Sequence, residues 1–278
     1  MNKKILLTGA GGFVGARVLL RHPDAIILPS ELSHSENMDL IRDYIKNVSP
    51  EVIFHTSAMS DISVCARYPE ESYRANVLLP VAIAKGANAC GAKLVAFSSD
   101  QVYTGCRDEG PYNDDLELPQ PDNLYAVEKL EMEKRVLDIL PNAVLLRATW
   151  MYDLPLNPHA NRGNYMVNLL KCILRGDAIR AARNEYRGLT YVRQVAEHLE
   201  KTVDLPGGVY NYGSENSFDM YETTEACLSL LGISRTIQTI PPRHNLWMNC
   251  EKIRRCGIIY DTTVEGLERC INDYDLRL

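Results

Sequence analysis

Three glycines near the N-terminus constrain the fold of this chain more than any other feature. Gly9, Gly12 and Gly15 follow the short apolar run Ile5-Leu6-Leu7 and open a segment with helical character. In a strand-to-helix loop with this spacing, Gly9 permits a tight turn, Gly12 lets the backbone approach a pyrophosphate, and Gly15 allows close helix–strand packing. Because the pyrophosphate charge is attracted to the helix N-terminus, we expect this loop to bind a dinucleotide.

Short apolar segments alternate with helical segments through the first half of the chain. The predicted strands are Lys3–Thr8, Ala25–Leu28, Val52–His55, Lys93–Ser98 and Ala143–Arg147, and the predicted helices are Gly12–Arg21, Leu40–Val48, Glu70–Ala89 and Leu124–Leu137. Asp39 is expected to cap the second of these helices and Pro80 to kink the third. Alternation at this spacing predicts βαβ units, and strands that are apolar throughout predict a sheet covered on both faces. The expected fold class is therefore α/β, with a doubly wound parallel Rossmann sheet.

The pattern changes after Trp150, where helices outnumber strands. The expected elements are a loop over Asp153–Gly163, helices over Asn164–Leu174, Val192–Val203, Asp219–Leu231 (with Asp219 as the cap) and Thr263–Ile271, and a strand over Gly208–Tyr212. We expect residues 1–150 to form the dinucleotide-binding domain. Residues 151–278 are expected to form a smaller, mainly helical substrate lobe at the carboxyl edge of the sheet.

Composition restricts the classes of partner. A chain of 278 residues can bury an adequate core without disulfides or metal, and its net charge of -6 offers no basic face for nucleic acid. No segment approaches the ~20 apolar residues of a membrane span, so the expected compartment is the cytoplasm. The eight cysteines form no C-x-x-C pair and no Cys/His cluster with zinc-like spacing. This pattern indicates reduced thiols and no metal site.

The segment after the second predicted strand is where the adenosine ribose of a dinucleotide would be recognised. Glu31 lies near the end of that strand and is a candidate for bonding the ribose, although a solvated loop acid explains it equally well. No Lys or Arg lies between Arg21 and Arg42, so no local cation pairs a 2′-phosphate. Only neutral donors are available, from Ser30, Ser33 and His34. This composition favours NAD(H) over NADP(H).

Tyr125 and Lys129 form a Y-x-x-x-K step inside a predicted helix. Residues four apart share a helix face, so Lys129 is expected beside the base of the Tyr125 side chain. A cation there would lower the tyrosine pKa from its ordinary ~10 and suit Tyr125 to exchange a proton with a carbonyl/alcohol pair. An exposed tyrosine packed over a lysine stem is the alternative interpretation of the same spacing.

A serine pair lies where the fourth predicted strand ends. Ser98-Ser99-Asp100 occupies the carboxyl end of that strand, which is where ligands bind in open α/β sheets. A hydroxyl at this position can hydrogen-bond a substrate oxygen. The order of glycine loop, strand-end serine and Y-x-x-x-K step is more specific than any one of the three motifs.

With these motifs the sequence resembles the extended short-chain dehydrogenase/reductases, and within them the dTDP-4-dehydrorhamnose reductase group. The resemblance covers nearly the whole chain and is more specific in the first half. The stretches that carry it are Thr8–Gly15, Ser98–Gly105, Pro111-Tyr112, Pro119, Tyr125–Lys129, Arg147–Tyr152, Thr190–Arg193 and, more loosely, Pro242-Arg243 and Asn249–Gly257.

The resemblance implies roles for individual residues. Ser99, Tyr125 and Lys129 would be the catalytic residues, with Ser99, Asp100 and Trp150 at the substrate. A buried core tryptophan is the alternative for Trp150. Asp39 and Leu40 would lie near the adenine. The candidate cofactor-binding residues, from the resemblance and the motifs together, are Gly9, Gly12, Phe13, Val14, Gly15, Ser30, Glu31, Asp39, Leu40, Ala58, Asn76, Ser98, Tyr125 and Lys129.

Four departures from the family pattern concern the substrate side and leave the identity of the sugar nucleotide open. Leu189 replaces a proline, Leu154–Gly163 is longer than the corresponding loop, and the segment after Ser60 lacks a lysine-acid run. The closing arginine order is altered in Pro241–His244.

The function that the resemblance implies is NAD(P)H-dependent reduction of a 4-keto sugar nucleotide. Two alternatives remain open. An epimerase or dehydratase of the same superfamily would retain its cofactor, and Asp100-Gln101 supplies only half of the acid pair that dehydratases use. A non-catalytic regulatory subunit, like that of methionine adenosyltransferase, would use the same fold to bind NAD(P).

The expected partners are a nucleotide-linked sugar and, as an open option, a second copy in a homodimer. No nucleic acid and no membrane is expected as a partner.

Overall fold

A computed structural model of the chain describes residues 3–156 and 163–277. The strands are β1 Ile5–Thr8, β2 Ile26–Ile27, β3 Val52–His55, β4 Lys93–Ser99, β5 Val144–Ala148, β6 Trp150–Tyr152, β7 Ile179–Ala182, β8 Leu189–Tyr191, β9 Gly208–Tyr212 and β10 Ile237–Ile240. The α-helices are α1 Phe13–Arg21, α2 Ser30–Ser33, α3 Asp39–Val48, α4 Ile62–Arg67, α5 Pro69–Tyr73, α6 Leu79–Cys90, α7 Leu124–Ile139, α8 Tyr165–Arg175, α9 Val192–Leu199, α10 Met220–Leu230, α11 Glu251–Arg255 and α12 Thr263–Asp273. A π-helical segment covers Arg74–Leu78, and 3₁₀ segments cover Asp100–Tyr103 and Glu200–Asp204.

The central sheet is parallel and has six strands in the order β2-β1-β3-β4-β5-β9. Leu6 of β1 pairs with Ile26 on one side and with Ile53 on the other. The strand order reverses at β1 and β3, so ligands are expected in the crevice outside the carboxyl ends of these two strands. The predicted doubly wound α/β fold is confirmed.

The strands of the central sheet can be apolar along their length because helices pack over them and exclude water. Leu6, Ile53 and Leu94 are fully buried in one core with side chains of α3, α6 and α7. Helix α6 approaches α3 closely at Gly86, where a Cβ atom would lie 2.8 Å from Cβ of Ile45. The burial of continuous apolar strands is the pattern that the sequence predicted for a covered parallel sheet.

The single helix predicted over Glu70–Ala89 is divided into α5, the π-helical segment and α6. Leu79 donates its backbone N–H to the carbonyl of Arg74, five residues earlier. Pro80 follows immediately, and a proline has no N–H and collides with the carbonyl four residues before it. The wider π turn accommodates the proline, so the expected kink takes this form.

Asp39 was predicted to cap α3, and this prediction is wrong. Met38 is the N-cap, Asp39 is the first helical residue, and the Asn37 side-chain oxygen accepts the Asp39 N–H at 3.1 Å. The Asp39 carboxylate instead pairs with Arg42 one turn later, at 3.1 Å. An acid in the first turn still interacts favourably with the helix dipole, which explains why the sequence signal resembled a cap.

The chain divides into two compact units, each assembled from separate stretches. The first contains residues 1–105, 117–147 and 196–210, and the second contains residues 106–116, 148–195 and 211–278. The functional division into a dinucleotide domain over 1–150 and a substrate lobe over 151–278 stays a prediction. No helix in the described parts of the chain is long and apolar enough to cross a membrane.

The second unit contains short strands that the sequence did not predict. Strand β6 pairs with β8, and β7 pairs with β10, in two separate parallel ribbons. Strands of three or four residues are too short to show a periodicity.

The predicted cap Asp219 is confirmed, since it forms a capping box with Glu222 at the start of α10. The predicted loop over Asp153–Gly163 includes residues 157–162, which lie outside the described residues.

Candidate active site

The glycine loop connects β1 to α1 by a tight turn. Gly9 has φ +68°, and its carbonyl accepts the Gly12 N–H at 2.8 Å. A Cβ atom on Gly9 would lie 2.8 Å from the Ser57 nitrogen, and a Cβ atom on Gly15 would overlap the Gly9 carbonyl oxygen. Both positions therefore require glycine, for the turn and for the close approach of α1 to the loop.

The N-terminus of α1 fits the pyrophosphate of a dinucleotide. Gly12 is the N-cap and has no side chain to bond the first N–H groups, and the first turn contains no acid. Phe13 and Val14 are the first helical residues, so their N–H groups have no partner within the helix. Such a terminus combines unbonded donors with the positive end of the helix dipole. The residues predicted for the pyrophosphate are thus brought together at one helix end.

The loop after β3 packs against the glycine loop. Thr56 donates its hydroxyl to the Thr8 carbonyl at 2.7 Å, and Ser57 donates its N–H to the Thr8 hydroxyl oxygen at 3.4 Å. His55, at the end of β3, is fully buried beside the Thr8 hydroxyl at 2.7 Å. Burial, with a smaller effect of the Lys129 charge, lowers the His55 pKa to about 3. His55 is therefore neutral over the physiological pH range.

Asn76 holds the segment that contains Ala58. Its side-chain oxygen accepts the Met59 N–H at 3.0 Å, and its amide nitrogen donates to the Met59 carbonyl at 3.0 Å. The same nitrogen donates to Glu128 Oε2 at 2.9 Å. Asn76 is fully buried in the π-helical segment, so it fixes the backbone beside Ala58.

Glu128 is a buried carboxylate that the sequence analysis did not single out. Its Oε2 accepts hydrogen bonds from Ser72 at 2.6 Å and from Asn76 at 2.9 Å, and it is only 2% exposed. It connects α7 to α5 and to the π-helical segment. The only sequence signal was its place inside the Y-x-x-x-K step, where acids on solvated helix faces are common.

Tyr125 and Lys129 lie on the buried face of α7. Asn123 caps the helix by accepting the Ala126 N–H at 3.0 Å. The Lys129 ammonium lies 5.7 Å from the centroid of the Tyr125 ring and donates to the Phe97 carbonyl at 2.9 Å. The alternative of an exposed tyrosine over a lysine stem is therefore wrong, because Tyr125 is 6% exposed and Lys129 2%.

The expected lowering of the Tyr125 pKa by Lys129 is also wrong. Burial raises the pKa of the Tyr125 phenol well above its ordinary value, with the nearby Ser99 hydroxyl acting in the opposite direction and Asp100 in the same direction. Burial lowers the Lys129 pKa to about 8, against the smaller opposing effects of Glu133 and Glu128. Removal from water disfavours the charged form of each group, and burial is the largest cause of both pKa shifts.

Ser99 ends β4 and caps the 3₁₀ segment that follows. Its hydroxyl oxygen accepts the Gln101 N–H at 3.2 Å, and the hydroxyl donates to Asp100 Oδ1, also at 3.2 Å. A hydrogen bond with the Ser99 hydroxyl lowers the pKa of the nearby Tyr125 phenol, and the Asp100 charge raises it. The structure thus brings together the three residues predicted to be catalytic, at the carboxyl end of β4.

Ser98 points into a buried polar network. Its hydroxyl donates to Glu133 Oε1 at 2.5 Å, and the Glu133 carboxylate pairs with Arg147 at 2.7 Å. Arg147 also donates to the Tyr103 hydroxyl at 3.0 Å. The Ser98 side chain therefore links β4 to α7, and we expect any contact with a cofactor to come from its backbone.

The predicted adenosine residues lie beyond β2. Ser30 and Glu31 are exposed and begin α2, so Glu31 belongs to a short helix and is not the loop acid of the alternative interpretation. Asp39 and Leu40 are exposed at the start of α3.

No group of three or more His, Cys, Asp or Glu side chains in the described residues could hold a metal ion.

Trp150 lies in the second unit, at the start of β6, and is partly buried. The Arg187 guanidinium lies over its ring, 5.0 Å from the centroid, and Tyr165 meets it edge-on at 6.2 Å. Trp150 is thus neither a fully buried core residue nor an isolated exposed one. Its assignment to the substrate stays a prediction.

Comparison with known proteins decides the family. Residues 3–257 match the family model described as RmlD substrate binding domain. The chain belongs to this family. The predicted resemblance is thereby confirmed for most of the sequence.

The chain is also similar to individual proteins and solved structures. dTDP-4-dehydrorhamnose reductase of Escherichia coli is 30% identical over 261 residues, covering 85% of this chain and 84% of that protein. Methionine adenosyltransferase 2 subunit beta of Xenopus tropicalis is 26% identical over 284 residues, covering 92% and 83%. The crystal structure of dTDP-4-dehydrorhamnose reductase from Bacillus anthracis in complex with NADP has the same fold, with a TM-score of 0.84 at 21% identity over 98% of this chain and 99% of that one.

Proposed function

We propose that this chain is an NAD(P)H-dependent reductase of a 4-keto sugar nucleotide. The observation that carries the proposal is the placement of Ser99, Tyr125 and Lys129 together at the carboxyl end of β4. Membership of the RmlD family and the 30% identity to an Escherichia coli dTDP-4-dehydrorhamnose reductase support the reaction class. The predicted catalytic and cofactor-binding residues are assigned here on that basis.

A nicotinamide cofactor fits the residues present. The Gly12 end of α1 would hold its pyrophosphate, and Ala58, fixed through Asn76, would line its nicotinamide half. When bound, the reduced cofactor supplies the hydride that the keto carbon accepts. Lys129 would hold the nicotinamide ribose by its ammonium group, which the Phe97 carbonyl orients.

Tyr125 is proposed as the proton donor. Its raised pKa keeps the phenol protonated at neutral pH, which suits an acid that must protonate an alkoxide as the keto oxygen is reduced. Ser99 would polarise the same oxygen by a hydrogen bond. To do so its hydroxyl has to turn from the Asp100 carboxylate towards the substrate. Trp150 remains the residue proposed for contact with the sugar.

A second candidate is a non-catalytic subunit that binds NAD(P). The 26% identity to a methionine adenosyltransferase beta subunit over 92% of this chain supports it. In such a protein the dinucleotide would be a structural ligand, and Tyr125 and Lys129 would have no catalytic role. The complete set of Ser99, Tyr125 and Lys129 supports the reductase instead.

A turnover assay separates the two candidates. The purified chain is incubated with NADH or NADPH and a panel of 4-keto sugar nucleotides, and the loss of nicotinamide absorbance is followed together with the sugar product. The reductase predicts stoichiometric oxidation of the cofactor and a reduced sugar. Binding of the dinucleotide with no oxidation by any substrate would support the subunit, and conversion of the sugar without net oxidation would indicate an epimerase.

A further inference from the structure

An arginine distant in sequence reaches the segment that follows β2. Arg74 lies in the π-helical segment, and its Nη1 donates to the His34 carbonyl at 2.7 Å. The His34 ring nitrogen Nδ1 lies 2.8 Å from the carbonyl oxygen of Ser30. The three residues, which we call the Ser30–His34–Arg74 cluster, thus lie together although Arg74 is 40 residues from His34 in sequence.

The cluster carries an uncompensated positive charge. Arg74 bonds a neutral carbonyl, and no carboxylate among the described residues forms an ion pair with it. Arg42, on the neighbouring helix α3, differs in this respect. Its guanidinium pairs with Asp39 at 3.1 Å and with Asp43 at 2.9 Å. Arg74 is therefore the cation beside this segment that could neutralise an incoming anion.

The position of the cluster determines which anion it would meet. In this fold the adenosine ribose of a dinucleotide lies by the end of β2. An acid there accepts a hydrogen bond from the 2′-hydroxyl of NAD, whereas an arginine donates hydrogen bonds to the 2′-phosphate of NADP. Here β2 is followed by Leu28-Pro29-Ser30, with no acid before the exposed Glu31. Ser30 and His34 are also exposed, so their side chains are open to a ligand.

The chemistry of the cluster suits a phosphate. A guanidinium is a planar fork that can donate two parallel hydrogen bonds to phosphate oxygens, and the partly exposed Arg74 keeps further N–H groups beyond the one bonded to His34. The exposed Ser30 hydroxyl adds a neutral donor. The neutral His34 ring uses its one N–H on the Ser30 carbonyl, so His34 contributes by holding Arg74 through its own carbonyl. From the sequence alone neutral donors were the only ones available, which favoured NAD(H).

We propose that the Ser30–His34–Arg74 cluster binds the 2′-phosphate of NADPH and makes this chain prefer NADPH to NADH. The inference rests on the proposed function, in that the dinucleotide has to bind at the glycine loop. It adds the residue that selects between the two cofactors. Glu31 is the rival determinant, because its carboxylate would bond the 2′-hydroxyl of NADH and repel a phosphate.

The test measures dinucleotide affinity by calorimetry on the full chain, without sugar substrate. NADPH and NADH are titrated, and so are the fragments 2′,5′-ADP and 5′-ADP, which carry no nicotinamide. We expect the wild type to bind NADPH about tenfold or more tightly than NADH. Arg74→Met should lose most of that preference and keep its NADH affinity within about twofold, because the lost guanidinium acts on the 2′-phosphate alone. Arg74→Lys should fall between the two, since it keeps the charge but not the fork.

Two further variants make the result decisive. Lys46→Met removes an exposed cation in the last turn of α3 and should leave the NADPH preference intact. Glu31→Gln should leave NADH affinity unchanged if Arg74 is the determinant. Equal affinities of the wild type for both cofactors, or an equal loss of both in Arg74→Met, would overturn this inference and leave the reductase standing. Failure of the wild type to bind either dinucleotide would overturn the proposed function as well.

Discussion

At the residue scale, Tyr125 and Lys129 are both removed from water, and this has a different consequence for each. The phenol keeps its proton, because burial disfavours the phenolate, whereas the ammonium becomes easier to deprotonate. The spacing of four residues was enough to predict that the two side chains share a helix face. It could not predict their burial, which depends on the Phe97 carbonyl and on β4, residues distant in sequence.

The lowered pKa of Lys129 makes stability depend on pH. Between about pH 8 and pH 10.5 the unfolded chain binds a proton at this lysine that the folded chain does not, so the free energy of unfolding rises with pH in that window. Below pH 8 both states are protonated and the cost of burying the charge is fully present. The unfolding free energy of the wild type, minus that of Lys129→Met, should therefore rise by about 2 kcal/mol from pH 8 to pH 9.5.

Urea unfolding of both proteins at several pH values measures this difference. Taking the difference removes the titration of other groups, including the buried tyrosines whose pKa is raised. Lys46→Met, at an exposed lysine, serves as a control for loss of one positive charge. A difference that stays flat or falls across this pH range would show that Lys129 is not held in a water-free site.

At the scale of elements, helix α7 carries the two residues that matter most, and its sequence predicted it well. Its start at Leu124 follows from the Asn123 cap, and its end was missed by two residues, at Ile139 instead of Leu137. The division of the predicted helix Glu70–Ala89 into α5, the π-helical segment and α6 was less predictable. Pro80 indicates that the helix is interrupted, but it does not specify that the interruption is a π turn. The short strands of the second unit were missed because each pairs with a strand distant in sequence, as Trp150 of β6 does with Leu189 of β8 and Ile179 of β7 with Ile237 of β10.

The Asn123 cap links the stability of α7 to the proposed site. Asn123→Ala removes the side-chain oxygen that accepts the Ala126 N–H, which should cost about 1 kcal/mol of unfolding free energy. Because this cap lies two residues before Tyr125, the variant should also lower turnover, while Asn123→Asp should retain both properties. Denaturant unfolding and steady-state assays measure the two effects.

Asn164→Ala is the matched control, since Asn164 caps α8 in the second unit by the same kind of bond, to the Val167 N–H at 3.2 Å. It should lose a similar stability with little change in turnover. If both variants lowered turnover equally, the effect would be a general loss of stability and not a local one at α7.

At the scale of the whole molecule, the order of motifs along the chain was sufficient to predict the fold and the family. The glycine loop and the alternation of strands and helices specify a doubly wound sheet, and that sheet places the ends of β1, β3 and β4 at one edge. The contacts that tune the site were beyond prediction. Arg74 with His34, and Arg147 with Glu133, join residues that only the folded chain brings together. The NAD(H) preference inferred from local sequence stays a prediction, and the NADPH preference proposed above rests on Arg74, which lies in a different helical segment from Ser30 and His34.

The most direct measurement of the central claim is single-turnover hydride transfer in Tyr125→Phe, followed at the nicotinamide absorbance. The substitution removes one hydroxyl and keeps the buried ring, so the fold and the dinucleotide affinity should survive. If Tyr125 protonates the reduced oxygen, the transfer rate should fall by ~10²–10⁴, the range typical of general acid catalysis. Tyr68→Phe, the same change at an exposed tyrosine, should leave the rate unchanged. Near-normal transfer by Tyr125→Phe, with the dinucleotide still bound, would contradict the account and favour the non-catalytic subunit.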